Sequence, residues 1–203
     1  DGRFRGEVTI REALAQSLNI PAVKILREVG LNYAINKAKS FGITTLSRDP
    51  GFYGLSLVLG GGEVKLLEMV SVYAVFSNEG FYTPPLFILK ITDKKGDIIE
   101  ENKNNPRRVL QSSAANLITD ILSDNNARAP MFGYQSPLYF KDHQVSVKTG
   151  TTQEFRDGWT IGYTPSIVVG VWVGNNNNTP MSGGESLLVA TPIWRVFMEK
   201  VLY

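Results

Sequence analysis

Residues 144–163, which read QVSVKTGTTQEFRDGWTIGY, place a lysine, two hydroxyl side chains and a glycine at the end of a predicted strand. Lys148, Thr149, Gly150 and Thr151 follow alternating apolar residues, and a second strand begins about ten residues later. An ammonium, two hydroxyls and a glycine without a Cβ would let a carboxylate approach the backbone closely. The segment therefore predicts a surface for a peptide carboxylate, although an ordinary turn accounts for the same residues.

Two short polar side chains, Ser17 and Asn19, lie in a predicted joint between two helices. Such side chains commonly satisfy free backbone groups at helix ends, so capping alone accounts for both. A catalytic interpretation requires a partner elsewhere in the chain. We expect Lys148 to be that partner, within side-chain reach of Ser17 and facing the same cavity.

Helical periodicity on both sides defines this joint. Thr9 and Glu12 form a capping-box pattern, which predicts a helix from Ile10 to Ser17. The residue before a proline disfavours helical backbone, so we expect Ile20 to lie outside a helix. The next helix is predicted from Pro21 to Gly30.

Other periodic segments predict the elements that must hold these motifs. The run from Ile167 to Gly174 is apolar at nearly every position, so we expect a strand buried on both faces. Strands over 87–92 and 97–101 predict an exposed hairpin, and we expect irregular backbone bordering a cleft from Asn125 to Tyr139. Further helices are predicted over 32–41, 65–77, 113–122 and 191–202, the last with Pro192 in its first turn and Ile193, Val196, Phe197 and Val201 facing inward.

Composition narrows the class of protein. The 203 residues are 43% hydrophobic, which suits one globular domain or a domain with a small satellite. The formal net charge of +2 comes from 21 basic and 19 acidic residues spread along the chain, so neither nucleic acid nor anionic lipid is predicted as a partner. Cysteine is absent, which excludes disulfides, thiolate metal sites and cysteine nucleophiles.

Several common catalytic patterns are missing from the sequence. His143 is the single histidine and HExxH is absent, so no zinc site is predicted. A Ser-His-Asp triad is disfavoured because no GxSxG segment occurs. The glycines Gly60, Gly61 and Gly62 lack the lysine and hydroxyl residue of a phosphate-binding loop, and no cofactor is predicted.

Longer segments around both motifs carry a family resemblance. REALAQSLNIPAV, YGLSLVLGGGEVKLLEMVSVYAVFSNEG and VKTGTT with RDGWTIGYTPSIVVGVWVGN closely resemble the transpeptidase domain of class A, bifunctional penicillin-binding proteins, over nearly the whole chain. The resemblance implies an α+β fold of the penicillin-binding and serine β-lactamase type, with helices packed on an antiparallel sheet, incomplete at its N-terminal side. Residues 1–203 would be a partial transpeptidase domain, with a helical part (1–80), a satellite hairpin (86–102) and a part that holds the lysine strand, the sheet and the closing helix (111–203).

The same resemblance implies a role for each motif residue. Ser17 would relay a proton between the general base and the leaving D-alanine, and Asn19 would hold the substrate amide. The backbone N–H of Thr151 would supply half of an oxyanion hole. The carboxylate of a D-Ala-D-Ala stem peptide would bind along Lys148, Thr149, Gly150, Thr151 and Thr152.

One departure from the family concerns the nucleophile. The serine and lysine of a Ser-x-x-Lys tetrad should precede Ser17, and no such tetrad occurs in the 203 residues. We therefore expect these residues alone neither to acylate nor to crosslink. The tetrad is expected in a missing upstream part of the same protein, and the alternative is a natural pseudoenzyme that has lost it. A groove left by that part could be covered by a second copy of the chain.

Function and location follow from the resemblance, with alternatives. The first interpretation is a peptidoglycan D,D-transpeptidase fragment that binds stem peptides and β-lactams on the extracytoplasmic face of the bacterial membrane, its parent also carrying a membrane anchor and a glycosyltransferase domain. The second is a non-catalytic module that binds cell-wall peptides or organises a synthesis complex. The third is a β-lactamase or D,D-carboxypeptidase relative that uses the same motifs.

Overall fold

The computed structural model describes residues 4–203, in which helices pack around small antiparallel sheets. The elements from residue 10 to residue 77 are helical, and the largest sheet lies in the carboxyl-terminal half. The helices are α1 (Ile10–Ala15), α2 (Asn19–Val29), α3 (Leu31–Ser40), α4 (Pro50–Tyr53), α5 (Leu66–Ser77), α6 (Ser112–Ser123), α7 (Asn125–Phe132) and α8 (Ser186–Leu202). The strands are β1 (Phe81–Tyr82), β2 (Lys90–Thr92), β3 (Ile98–Glu101), β4 (Arg107–Arg108), β5 (Ser146–Thr151), β6 (Asp157–Tyr163) and β7 (Val168–Gly174).

The three-stranded sheet has the order β5-β6-β7, so β5 has one edge unpaired by any described strand. Val147 and Val145 pack with Trp194 and Met198 of α8 in the main apolar core. A Cβ at Gly162 of β6 would lie 2.3 Å from the Trp194 ring, so this contact requires a glycine. The α+β fold predicted from the resemblance is therefore present, and α8 fixes one face of the sheet.

A second core joins the amino-terminal helices to α5. Ile35, Ile43, Leu46 and Tyr53 are buried together, and Val72 of α5 packs against them. Helix α5 also lies against β7. The helical half is thereby attached to the sheet. Helix α6, which contacts both α1 and β5, fixes the place of the Ser17 joint relative to β5.

The prediction of irregular backbone from Asn125 to Tyr139 is wrong for the first half of this segment, where α7 forms. Asp124 caps this helix, because its Oδ1 accepts the backbone N–H of Ala127 at 2.9 Å. Pro130 lies inside the helix, where a proline removes a backbone hydrogen bond and disfavours helical structure. The cap and the burial of Ala129 outweigh that local cost.

The inward face predicted for the last helix is also wrong. Helix α8 begins at Ser186, so Pro192 is in its interior, and a different face meets the sheet. The hydroxyls of Thr191 and Thr160 lie 2.9 Å apart, both fully buried. This pair and Trp194 set the rotation of the helix, because a buried hydroxyl needs a partner. The residues expected to face inward are instead 44–56% exposed, namely Ile193, Val196, Phe197 and Val201.

Strand β7 is packed against both α5 and α8, as burial on both faces predicted, but its residues are only half-buried along the whole strand. Its position at the end of the sheet explains this, because one edge lacks a neighbouring strand. The predicted exposed hairpin is confirmed: β2 pairs antiparallel with β3, with Lys90 opposite Glu101. Whether residues 86–102 form a separate satellite unit stays a prediction.

Candidate active site

The joint between α1 and α2 places Ser17 in a conformation that favours glycine. The capping box predicted from Thr9 and Glu12 is present and begins α1. The helix ends in a Schellman motif, in which Leu18 N–H donates to the carbonyl of Ala13 at 2.9 Å and Ser17 N–H donates to that of Leu14 at 3.2 Å. Ser17 has φ of 59° and is exposed. A serine here costs roughly 1–2 kcal/mol of stability relative to glycine. Because strained backbone conformations of this kind cluster at functional sites, the serine hydroxyl is a functional candidate.

Helix α2 begins at Asn19, two residues before the proline, so the prediction that Ile20 is non-helical is wrong. Pro21 is the third residue of the helix, where a backbone N–H has no partner within the helix, so its absence costs nothing. Asn19 is exposed in the first turn and lies two positions after Ser17. Both side chains are therefore at the same end of α2.

Gln16 ties the joint to α7, and sequence reasoning missed it. Its side chain is 5% exposed, and its Nε2 donates to the carbonyl of Ala127 at 3.0 Å. Its Oε1 accepts a hydrogen bond from Arg5. A glutamine beside a Schellman cap gave no signal by itself, because its partner belongs to a helix that was not predicted.

The predicted proximity of Ser17 and Lys148 is confirmed. Lys148 Nζ lies 2.6 Å from Ser17 Oγ and also donates to the carbonyl of Thr149 at 2.7 Å. The lysine side chain is half-buried. Burial, and then the positive charge of Arg128, lower the pKa of Lys148 to about 8. Lys148 is therefore still mostly charged at pH 7, but its pKa lies much nearer to neutral pH than that of an ordinary lysine, which favours proton exchange.

Strand alternation decides which side chains share a face with Lys148. Ser146 Oγ donates to the carbonyl of Thr119 in α6, whereas Val147 packs on α8. Lys148 therefore lies on the Ser17 side, and Thr149 and Thr151 have the parity of the α8 side. Thr149 is buried at 8% exposure.

Thr151 contacts the first turn of α8 instead of Ser17. Its Oγ1 accepts the backbone N–H of Ser186 at 3.0 Å and lies 3.0 Å from the Ser186 hydroxyl. The two motif threonines thus do not contact the Ser17 hydroxyl, and Lys148 is the residue of the strand that does.

Thr152 closes the hairpin between β5 and β6. Its hydroxyl donates to Asp157 Oδ2 at 2.8 Å and accepts the backbone N–H of Asp157 at 2.9 Å. Trp172 donates its indole N–H to the other carboxylate oxygen of Asp157 at 2.8 Å. The hydroxyl of Thr152 therefore makes its hydrogen bonds within the turn, and this side chain positions the end of β5.

The backbone of β5 offers free groups at its unpaired edge. Thr152 N–H donates across the hairpin to the carbonyl of Asp157 at 3.1 Å. Backbone direction alternates along a strand, so the N–H of Thr151 points to the opposite, unpaired edge. A Cβ at Gly150 would meet its nearest neighbour, Trp159, at an ordinary 3.6 Å, so packing inside the fold does not require this glycine.

Arg128 is a second functional candidate that sequence reasoning missed. It lies on α7 and is 4% exposed. Its Nη1 donates to the carbonyl of Leu122 at 3.4 Å, and its Nε has no hydrogen-bond partner. Burial lowers its pKa to about 10, although the charge of Asp124 opposes this. The arginine of the segment NNARAP could have been predicted as a functional candidate only if this segment had first been predicted to be helical.

Three further features of the described residues concern metal ligands, membrane-spanning helices and the histidine. Among residues 4–203, no three histidine, aspartate or glutamate side chains cluster as metal ligands would. Over the same residues, no helix has the length and apolarity to cross a membrane. His143 stacks edge-on against Tyr203 with the ring centres 4.6 Å apart, which is a packing role.

Comparison with known proteins identifies the family. The model of the penicillin binding protein transpeptidase domain matches residues 2–199. Penicillin-binding protein 1A of Aquifex aeolicus is 37% identical over 206 residues, which are 99% of this chain and 27% of that protein. Penicillin-binding protein 2D of Bacillus subtilis is 35% identical, over 96% of this chain and 28% of that protein. The chain thus spans about a quarter of the length of these relatives.

Solved structures agree with the fold and the family. Penicillin-binding protein 1A of Haemophilus influenzae superposes with a TM-score of 0.84 at 24% identity, over 98% of this chain and 35% of that one. PonA1 of Mycobacterium tuberculosis, solved in complex with penicillin V, superposes with a TM-score of 0.81 at 26% identity, over 99% of this chain and 58% of that one. The chain belongs to the penicillin-binding protein transpeptidase family, as its resemblance to the class A proteins predicted.

Proposed function

We propose that this chain is the part of a D,D-transpeptidase domain that binds the stem peptide and moves protons during peptidoglycan crosslinking. The observation that carries the proposal is the 2.6 Å contact between Lys148 Nζ and Ser17 Oγ beside the unpaired edge of β5. Two such groups in contact can exchange a proton, which the transfer of an acyl group between amines requires.

The substrate would lie extended along the unpaired edge of β5. An added strand gains backbone hydrogen bonds there, and its terminal carboxylate would meet the ammonium of Lys148. Gly150 leaves room for that approach, since nothing in the fold itself demands a glycine there. Thr151 N–H would stabilise the oxyanion, and Asn19 would hold the substrate amide.

Acyl transfer would begin at a serine of a Ser-x-x-Lys segment elsewhere in the longer protein. Its oxygen bonds to the carbonyl carbon of the penultimate D-alanine, and the bond from that carbon to the terminal D-alanine nitrogen breaks. The leaving nitrogen gains a proton from Ser17, Ser17 regains one from Lys148, and Lys148 regains the proton that the nucleophile released. An amine of a second stem peptide then bonds to the acyl carbon, and the bond from that carbon to the serine oxygen breaks. The proton that this amine loses passes through Ser17 and Lys148 to the serine oxygen, which restores the nucleophile.

The 203 residues alone would be inactive in this proposal, because they contain no Ser-x-x-Lys tetrad. Loss of the nucleophile from a catalytic unit removes nearly all of its covalent chemistry. The longer protein would act on the extracytoplasmic face of the bacterial membrane, with stem peptides and β-lactams as ligands. The solved complex of the relative PonA1 with penicillin V supports the β-lactam part. A homodimer stays a prediction.

Labelling with a fluorescent penicillin tests the proposal. We expect the longer protein to be labelled, the 203-residue chain to remain unlabelled, and Ser17→Ala in the longer protein to be labelled at least tenfold more slowly. Ser47→Ala, at an exposed position, is the matched control. Absence of labelling in the longer protein would favour a non-catalytic peptide-binding module. Rapid release of the drug after labelling would instead indicate a β-lactamase or carboxypeptidase relative.

A further inference from the structure

Arg128 is a buried cation without a matching anion. Among residues 4–203, no carboxylate lies within ion-pair distance of its guanidinium, and its one hydrogen bond goes to a backbone carbonyl at 3.4 Å. Asp124, at the start of the same helix, is occupied by Arg11 at 2.9 Å and by the helix cap. A buried guanidinium in such surroundings costs several kcal/mol, so packing alone gives no reason for it.

The fold brings this arginine to the Ser17 joint. Gln16, the residue before Ser17, hydrogen-bonds to the carbonyl of Ala127, the residue before Arg128. Ser17 in turn contacts Lys148. The Ser17 joint, α7 and β5 are far apart in sequence but therefore converge, and the positive charge of Arg128, after burial, helps to lower the pKa of Lys148.

We propose that Arg128 is a positioning residue for transpeptidation, a permanent positive charge placed behind Lys148 so that the lysine gives up its proton to Ser17 more readily. This inference rests on the function proposed above. Lys148 then acts as a stronger acid when the leaving nitrogen needs a proton, and its amine persists long enough to take one back. Arg128 touches neither the substrate nor the reacting atoms in this proposal.

Other ionisable groups around the site do not supply the same effect. Asp124, and Arg11 of α1 that pairs with it, lie at the start of α7, and Asp120 of α6 also pairs with Arg11. Tyr163 of β6 pairs with Ser146, two positions before Lys148 in β5, and burial raises its pKa above the ordinary value, so it stays neutral. Arg128 is therefore the charge whose removal should act on Lys148.

The titration of Lys148 in the 203-residue chain tests this inference without any activity. With ¹³C-labelled lysine, the Cε signal of Lys148 should titrate near pH 8, as burial and Arg128 predict. Arg128→Gln should move that midpoint upward, whereas Arg128→Lys, which keeps the charge, should leave it in place. Arg27→Gln removes an exposed arginine and serves as the control. An unchanged midpoint in Arg128→Gln, or an ordinary midpoint in the unmodified chain, would overturn the inference.

A second measurement separates this inference from the proposed function. In the longer protein, the pH at which penicillin acylation reaches half its maximum should rise in Arg128→Gln and stay unchanged in Arg128→Lys. Acylation with an identical pH profile in all three proteins would refute the role of Arg128 and leave the transpeptidase intact. If the glutamine variant unfolds, Arg128→Met is used in both measurements, because its side chain fills a similar apolar volume.

Discussion

The ammonium of Lys148 lies 2.6 Å from the hydroxyl of Ser17, although the two residues are 131 positions apart in the sequence. A strained Schellman cap presents the serine, and the unpaired edge strand of the sheet presents the lysine. Among the described residues, neither the helix cap nor the packing of β5 requires the Ser17 hydroxyl and the Lys148 ammonium to be in contact. The contact therefore joins the motif of Ser17 to the motif of Lys148, each of which is weak evidence for function when taken alone.

Replacing Ser17 should separate stability from function. Glycine adopts a φ of 59° without strain, so Ser17→Gly should raise the free energy of unfolding by about 1 kcal/mol. Ser17→Ala keeps the strain and should gain nothing. Urea unfolding of the 203-residue chain measures both. In the longer protein, both variants should be acylated slowly, and a fast Ser17→Gly enzyme would show that the hydroxyl is dispensable.

Lys148→Met should stabilise the chain at neutral pH. The pKa of Lys148 is lowered in the folded state, so the unfolded chain binds more protons between pH 8 and its ordinary value. The destabilising contribution is fully present below pH 8 and disappears as the pH rises through the unfolded value. The methionine variant should gain roughly 1–3 kcal/mol at pH 7 and progressively less toward pH 10.5. Urea unfolding at several pH values checks this, and an equal gain at every pH would contradict it.

Alanine should destabilise the fold at one of two glycines in neighbouring strands and leave it nearly unchanged at the other. Gly162→Ala places a Cβ 2.3 Å from the Trp194 ring, so the free energy of unfolding should fall by about 2 kcal/mol or more. Gly150→Ala meets its nearest neighbour at 3.6 Å and should leave stability nearly unchanged. In the longer protein, however, Gly150→Ala should slow acylation by penicillin. Full activity of a stable Gly150→Ala variant would show that nothing approaches this backbone.

Sequence reasoning predicted the contact between the two motifs better than it predicted the elements that support them. The proximity of Ser17 and Lys148 could be predicted because both belong to short motifs of one family. Arg128 could not, because Pro130 concealed the helix that buries it. The inward face of α8 was misassigned for a related reason, since the buried pair of threonine hydroxyls, together with Trp194, sets its rotation. Both errors concern buried polar groups, whose partners are distant in sequence and leave no periodic signal.

Gln16 offers the last prediction, because it couples the joint to α7. Gln16→Leu keeps the side-chain volume but leaves the carbonyl of Ala127 without its donor, which should lower the free energy of unfolding by about 1–3 kcal/mol. The joint should also loosen, so the Lys148 titration should shift upward as Ser17 and Arg128 move apart. Gln144→Leu, which loses an exposed contact to Ser123, is the matched control and should change neither quantity. Urea unfolding and the Lys148 Cε titration measure the two effects. A destabilised Gln16→Leu chain with an unshifted lysine would show that α7 supports the fold without tuning the site.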